Sequence, residues 1–251
     1  MASLSPGPIT DRPSPNHGPR PDGVAVDTLV LHYTGMPDAD QALAWLCDGR
    51  SQVSCHWYVH EDGRIVRLVD EDRRAWHAGV SSWRGAADVN SRSIGIEIAN
   101  PGHQWGYRAF PDRQIEAVTD LCLAILDRHP IPPRNVVAHA DVAPTRKEDP
   151  GELFPWGRLA AAGVGHHVAP STAKGGRYFQ RGDAGQPIEA LQSMLGIYGY
   201  EVPISGTFCD QTAAVVTAFQ RHFRPERVDG VADVSTIETL HRLLKALPSL
   251  A

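Results

Sequence analysis

The chain is poor in several features, and each shortage bears on a class of function. Cysteine is scarce, 4 in 251 residues, and Cys47, Cys55, Cys122 and Cys209 lie among apolar neighbours with no CxxC spacing. They read as reduced packing residues rather than a disulfide framework. Basic charge is not in excess: the formal net charge is −5, so no positive field argues for nucleic acid as a partner. No run approaches the roughly 18 apolar residues that a membrane span needs. The first residues, MASLSPGPITDRPSPNHGPRPDG, lack a charged head followed by an apolar block, and do not read as a secretory signal. Together these points favour a cytoplasmic protein. A chain that had lost a leader would look the same, and periplasmic or outer-membrane association is the alternative.

What is present is histidine, 12 residues of it, and an apolar content of 42% suited to a globular core. The length allows one full domain and a smaller companion. The proline-rich residues 1–23 read as an extended arm. A strand over 24–33 is followed by a helix over 38–47 with Asp38 as its cap. Segments 53–59 and 64–69 flank Glu61-Asp62-Gly63 and predict a hairpin. Residues 93–99 alternate, with Ile94, Ile96 and Ile98 on one face and Ser93, Gly95 and Glu97 on the other, so Glu97 projects from a face of small residues. Ile115, Val118, Cys122 and Ile125 form the stripe of a helix over 112–126 packed on a sheet. This gives an α/β first domain over 24–160. An Ala- and Gly-rich linker over 161–177 leads to a helical domain over 178–251. There Ile188, Leu191 and Leu195, then Val216, Phe219 and Phe223, then Ile237, Leu240, Leu244 and Leu247 mark three short helices. Asp210 is placed to cap the second, and Ser235 with Glu238 has capping-box spacing for the third.

The chemistry centres on HADVAPTRKEDPGELFPW, residues 139–156. The apolar run Val136-Val137-Ala138 delivers His139 to a strand end, and the loop brings back Lys147 and Asp149. Catalytic zinc usually takes three protein ligands and leaves one position open. His32, which also ends an apolar run and precedes a turn, is the best third ligand. His56 and His60 compete through their HxxxH spacing, but on a strand residues four apart lie about 13 Å from each other and could not share an ion. His77, beside Trp76, reads as a lining residue. Asp149 could instead cap a turn with Pro150-Gly151, Lys147 could be a solvated charge, and Glu97 an ion-pair partner. Taken together they fit amide hydrolysis. A metal polarises the carbonyl and acidifies water, a carboxylate moves the proton, and an ammonium stabilises the oxyanion.

LVLHYTG (29–35), RAWHAGVSSWRG (74–85), SIGIEIAN (93–100) and NVVAHADVAPTRKEDPGELFPW (135–156) closely resemble the zinc-dependent N-acetylmuramoyl-L-alanine amidases of the AmpD and AmiD type. That family shares its fold with phage T7 lysozyme and the peptidoglycan recognition proteins. The resemblance implies a mixed central β-sheet flanked by helices and one Zn2+ per chain, held by His32, His139 and Asp149. It implies Glu97 as the catalytic carboxylate and Lys147 as the transition-state lysine, with Tyr33, Trp76, His77 and Asn100 contributing to substrate binding. The bond cut would join the lactyl group of N-acetylmuramic acid, or its 1,6-anhydro form, to L-alanine of a peptidoglycan stem peptide. FCDQTAAVVTAFQRHFRP and VDGVADVSTIETL (208–225 and 228–240) resemble the helical peptidoglycan-binding domain of AmiD-type members. On this reading peptidoglycan or a soluble muropeptide is the partner, and deleting residues 171–251 should weaken wall binding more than cleavage of a soluble fragment. The rival reading is a recognition module that binds wall fragments without cutting them. Loss of a zinc ligand would mark it, and every ligand position is filled.

Overall fold

The structure is a computed structural model, and it describes residues 9–247. In chain order the strands are β1 (Ile9–Asp11), β2 (His17–Pro19), β3 (Thr28–Tyr33), β4 (Trp57–Val59), β5 (Ile65–Arg67), β6 (Arg73–Ala75), β7 (Ser82–Trp83), β8 (Ala86–Ala87), β9 (Ser93–Ile98) and β10 (Val136–Ala138). The helices are α1 (Ala39–Leu46), α2 (Val89–Arg92), α3 (Gly102–Trp105), α4 (Asp112–Arg128), α5 (His139–Val142), α6 (Trp156–Ala161), α7 (Gln186–Tyr198), α8 (Asp210–Phe223) and α9 (Val234–Lys245).

Six strands form the central sheet in the order β1-β5-β4-β9-β3-β10. Only β4 and β5, the expected hairpin, run antiparallel, so the sheet is mixed. The inner strands β9 and β3 are covered on both faces, which is why they read as near-continuous apolar runs. On one face, Ile94, Ile96 and Ile98 of β9 share a buried cluster with Ile115, Val118, Cys122 and Ile125 of α4. On the other, α1 buries Ala42, Leu43 and Leu46 against Cys55, Tyr58 and Val66. Asp38 caps α1 as expected, its carboxylate accepting from the Gln41 N–H at 2.8 Å. All four cysteines are free thiols.

Several expectations need correction. The arm is extended but not loose, because β1 adds to the sheet edge beside β5 and β2 pairs with β6. Arg20, at the end of this segment, donates to the carbonyls of Glu71, Asn90, Ser91 and Ser93 at 2.8–3.2 Å. The strand expected over 24–33 is β3, which begins at Thr28 rather than Val24, and Asp27 just before it pairs with Arg92. The supposed linker starts with the end of α6 and is then pinned, with the Ser171 N–H donating to Thr239 Oγ1 at 2.9 Å. Cys209, not Asp210, is the residue preceding α8. Asp233 caps α9 by accepting from the Thr236 N–H at 2.8 Å, because Ser235 and Glu238 are both engaged with Ser171.

The three predicted C-terminal helices are present and join the core of the sheet domain instead of standing apart. Trp83 of β7, 2% exposed, meets Tyr198 and Tyr200 edge-on at 6.2 and 5.2 Å between centroids.

Candidate metal centre and active-site cavity

Sheet register brings the site together. β3 lies between β10 and β9, with Leu31 opposite Ala138 and His32 opposite Glu97. His139, the residue after Ala138, therefore stands beside His32 at the C-terminal ends of three parallel neighbours, where ligands of open α/β sheets usually bind. The following loop folds back, the Ala140 N–H donating to the Asp149 carbonyl at 3.0 Å, and this carries the Asp149 carboxylate to the two imidazoles.

His32 Nδ1, His139 Nδ1 and Asp149 Oδ2 form a buried triangle with sides of 2.9, 3.2 and 3.0 Å. His139 Nε2 donates to the Ala78 carbonyl at 3.1 Å, which leaves a lone pair on Nδ1 in the neutral ring. Burial, reinforced by His139 and opposed by Asp149, pushes the His32 pKa down to about 4. Burial alone would raise the Asp149 carboxyl, but the His139 and His32 imidazoles overcome it and hold Asp149 below the carboxylate range. Two imidazole nitrogens and a carboxylate oxygen converging this closely suit a cation. A tetrahedral zinc with bonds of about 2.0–2.1 Å spaces its ligands about 3.3 Å apart, close to the observed triangle. The donor set thus fits zinc, and it is the one cluster of this kind among the described residues.

Beside the triangle lies a cavity of about 260 Å³. Its polar wall includes Trp76, His77, Glu97 and Lys147, and its apolar wall Met36, Trp45, Leu46 and Val53. Glu97 Oε2 is buried with no hydrogen-bond partner. Burial first, and the nearby Asp149 carboxylate second, push the Glu97 pKa well up, while Lys147 works against the rise. A buried carboxylate oxygen without a partner is unusual enough to need an explanation, and proton transfer is one.

The remaining sequence candidates divide. Trp76 lines the cavity. His77 also reaches it but sits mainly behind His32, its Nδ1 3.0 Å from His32 Nε2 and its Nε2 3.1 Å from Ser93 Oγ. Tyr33 and Asn100 are not among the lining residues. The Tyr33 hydroxyl meets His103 Nδ1 at 3.0 Å, and Asn100 is occupied by the Arg108 carbonyl and the Gly102 N–H at 2.8 and 3.0 Å. His56 and His60 flank β4 and do not join the triangle, as their strand spacing requires.

Sequence reasoning missed the residues that orient these groups. Asn90 Oδ1 accepts from the His77 and Ala78 N–H groups at 3.0 and 2.8 Å, fixing the turn whose carbonyl holds His139. Gly95 makes room for His77: a Cβ there would lie 2.5 Å from the ring. Ser93 and Gly95, the small residues already legible on the Glu97 face of β9, are the signal that a side chain approaches this face.

A family model for N-acetylmuramoyl-L-alanine amidase matches residues 22–152, and a model for a peptidoglycan binding domain matches residues 184–240. Among curated proteins, N-acetylmuramoyl-L-alanine amidase AmiD of Escherichia coli is 41% identical over 234 residues, covering 88% of this chain and 83% of the relative. The 1,6-anhydro-N-acetylmuramyl-L-alanine amidase AmpD of Citrobacter freundii is 34% identical, covering 64% of this chain and 91% of the relative. The solved complex of E. coli AmiD with anhydro-N-acetylmuramic acid-L-Ala-D-gamma-Glu-L-Lys superposes with a TM-score of 0.74 at 38% identity, covering 93% of this chain and 92% of that one. AmpDh3 of Pseudomonas aeruginosa, solved with an anhydromuramic pentapeptide, has a TM-score of 0.72 at 31% identity, covering 95% and 96%. The match spans more than half of the sequence and includes both strand-end histidines and the loop that returns Asp149: this chain belongs to the N-acetylmuramoyl-L-alanine amidase family.

Proposed function

We propose that this protein hydrolyses the amide bond between N-acetylmuramic acid, or its 1,6-anhydro form, and the L-alanine of peptidoglycan stem peptides, using one zinc ion held by His32, His139 and Asp149. The observation that carries this reading is the buried triangle of two imidazole nitrogens and one carboxylate oxygen beside the unpartnered Glu97 Oε2. Zinc held there would supply Lewis acidity to the scissile carbonyl and to the attacking water. Glu97, whose unpartnered Oε2 belongs to the same cavity wall, takes the water proton and passes it to the leaving nitrogen of L-alanine. The Lys147 ammonium, on the same cavity wall, stabilises the oxyanion that develops on the carbonyl oxygen. His77 and the Ala78 carbonyl hold the outer nitrogens of His32 and His139, fixing which nitrogen of each ring faces inward. Trp76 and the apolar wall offer a surface for the muramyl group or the stem peptide.

Anhydro-muropeptides are favoured as substrates because two similar structures hold them, and the match to a peptidoglycan binding domain favours larger wall fragments as a further partner. No helix among the described residues is long and apolar enough to cross a membrane. The test is mass spectrometry of products from a soluble anhydro-muropeptide and from intact sacculi, run with and without chelator. Release of free stem peptide that stops with chelator and returns with zinc is expected. Stem peptide release that persists after zinc is removed, or cleavage at another bond, would refute the proposal.

A further inference from the structure

The segment from His139 to Glu152 carries two of the three triangle atoms, and α8 touches it at both ends through consecutive residues. At the first end is Asp141, 1% exposed and two residues after His139. Its Oδ2 accepts from the Ala138 N–H at 2.8 Å and from His222 Nδ1 at 2.6 Å, and its Oδ1 accepts from the Tyr200 hydroxyl at 2.6 Å. The His222 ring is itself fixed, stacked between Trp156 at 3.7 Å and Phe223 at 3.8 Å. At the other end Arg221 donates to Glu148 Oε2 at 3.2 Å and lies 3.5 Å from Glu152 Oε2. Glu148 precedes Asp149 directly, and His103 also meets both glutamates. Adjacent residues on a helix point about 100° apart, which lets one turn of α8 hold two separate points.

We propose that α8, with Tyr200, is a splint for the metal-ligand segment, so that Asp141, His222 and Arg221 are positioning residues for His139 and Asp149. The proposal rests on the assignment of those two side chains as ligands. A module that only anchors the enzyme to the wall needs a tether, not buried polar pairs with the catalytic loop. Here two of the three hydrogen bonds that satisfy a buried carboxylate come from the C-terminal part of the chain, and a buried polar group that loses its partners does not stay in place. Deleting residues 171–251 would strip those partners from Asp141 and uncover Trp83 and Trp156. The sequence expectation that this deletion weakens wall binding more than cleavage of a soluble fragment is therefore revised: soluble cleavage should fall as well.

The experiment uses the full-length protein and measures the Zn2+ dissociation constant by chelator competition, the melting temperature, and turnover of a soluble anhydro-muropeptide at limiting and saturating zinc. Tyr200→Phe/His222→Gln should weaken zinc binding by about ten-fold or more, in line with losses of groups that orient metal ligands, and saturating zinc should restore most of the turnover. Tyr200→Phe alone, which removes one hydroxyl, should shift zinc affinity in the same direction and carries the test if the double variant does not fold. Gln192→Ala is the control: Gln192 bonds only within the bundle, to Thr207, Thr212, Ser205 and Gly206, so it should lower the melting temperature and leave zinc affinity unchanged. Wild-type zinc affinity in both tyrosine variants, or an equal loss in Gln192→Ala, would overturn the splint while leaving the metal assignment standing. A wild-type protein that takes up no zinc would instead overturn the assignment itself.

Discussion

Gly95→Ala adds one methyl group at a place where the structure states its consequence. Gly95 is not among the glycines with positive φ, so alanine fits the backbone, and restricting the unfolded chain would by itself stabilise by about 0.4–1 kcal/mol. The methyl carbon, however, would stand 2.5 Å from His77 Cγ and 2.7 Å from Cδ2 and Nδ1. Ordinary contact begins near 3.4 Å, so the ring must retreat by about 1 Å. It has no slack to do so, being 7% exposed, held through Nε2 by Ser93 and through Nδ1 by His32 at 3.0 Å. Overpacking of this kind costs about 1–3 kcal/mol, which outweighs the backbone gain. The larger effect should be on the metal. Displacing the partner of a ligand's outer nitrogen weakens binding by about 10–100-fold, or about 1.4–2.7 kcal/mol. Chelator competition on the purified variant measures it, with urea unfolding alongside. An alanine variant that binds zinc within two-fold of wild type would refute the claim that His77 orients His32.

Glu97→Gln should retain one zinc per chain and lose about 10²–10⁴ in kcat, the usual worth of a general acid-base; normal turnover would remove Glu97 from the mechanism. His139→Ala should lose both metal and activity, and full zinc occupancy measured by elemental analysis would show that a different ligand set operates. His56 gives a pH prediction independent of the metal. It accepts from the Gly95 N–H at 2.9 Å, and burial pushes its folded pKa from the ordinary 6.5 of a histidine down to about 3. The unfolded chain therefore takes up the proton first as pH falls. The stabilisation is complete above about pH 6.5 and declines below it, until the folded pKa is reached. Between pH 7.5 and 5.5 this one group should cost about 1.4 kcal/mol. Urea unfolding of wild type and His56→Gln at the two pH values checks it, and equal slopes would contradict the assignment.

The sequence disclosed what depends on local pattern. The alternation of Ser93 to Ile98, the α4 stripe and the hairpin at Asp62-Gly63 each follow from the period of side chains along a strand or helix, and each is present. His32, His139 and Asp149 were legible as a set because two apolar runs end on histidine and a proline-rich loop returns an aspartate. Long-range matters were not legible. Nothing local says that Ile9 to Asp11 would pair with β5, since so short a segment owes its strand to the partner edge. The caps of α8 and α9 were misplaced by a residue or two because several residues near each start could cap. Nor could spacing reveal that Tyr200 and His222 would close on Asp141, some 60 and 80 residues away, which is a property of how the bundle docks.

The most direct measurement is an anomalous difference map at the zinc absorption edge, from crystals of the protein grown with zinc. The account predicts a single peak bonded to His32 Nδ1, His139 Nδ1 and Asp149 Oδ2 at about 2.0–2.2 Å, with Glu97 facing its open side. A peak on other side chains, or three well-ordered side chains in zinc-containing crystals with no peak among them, would contradict it.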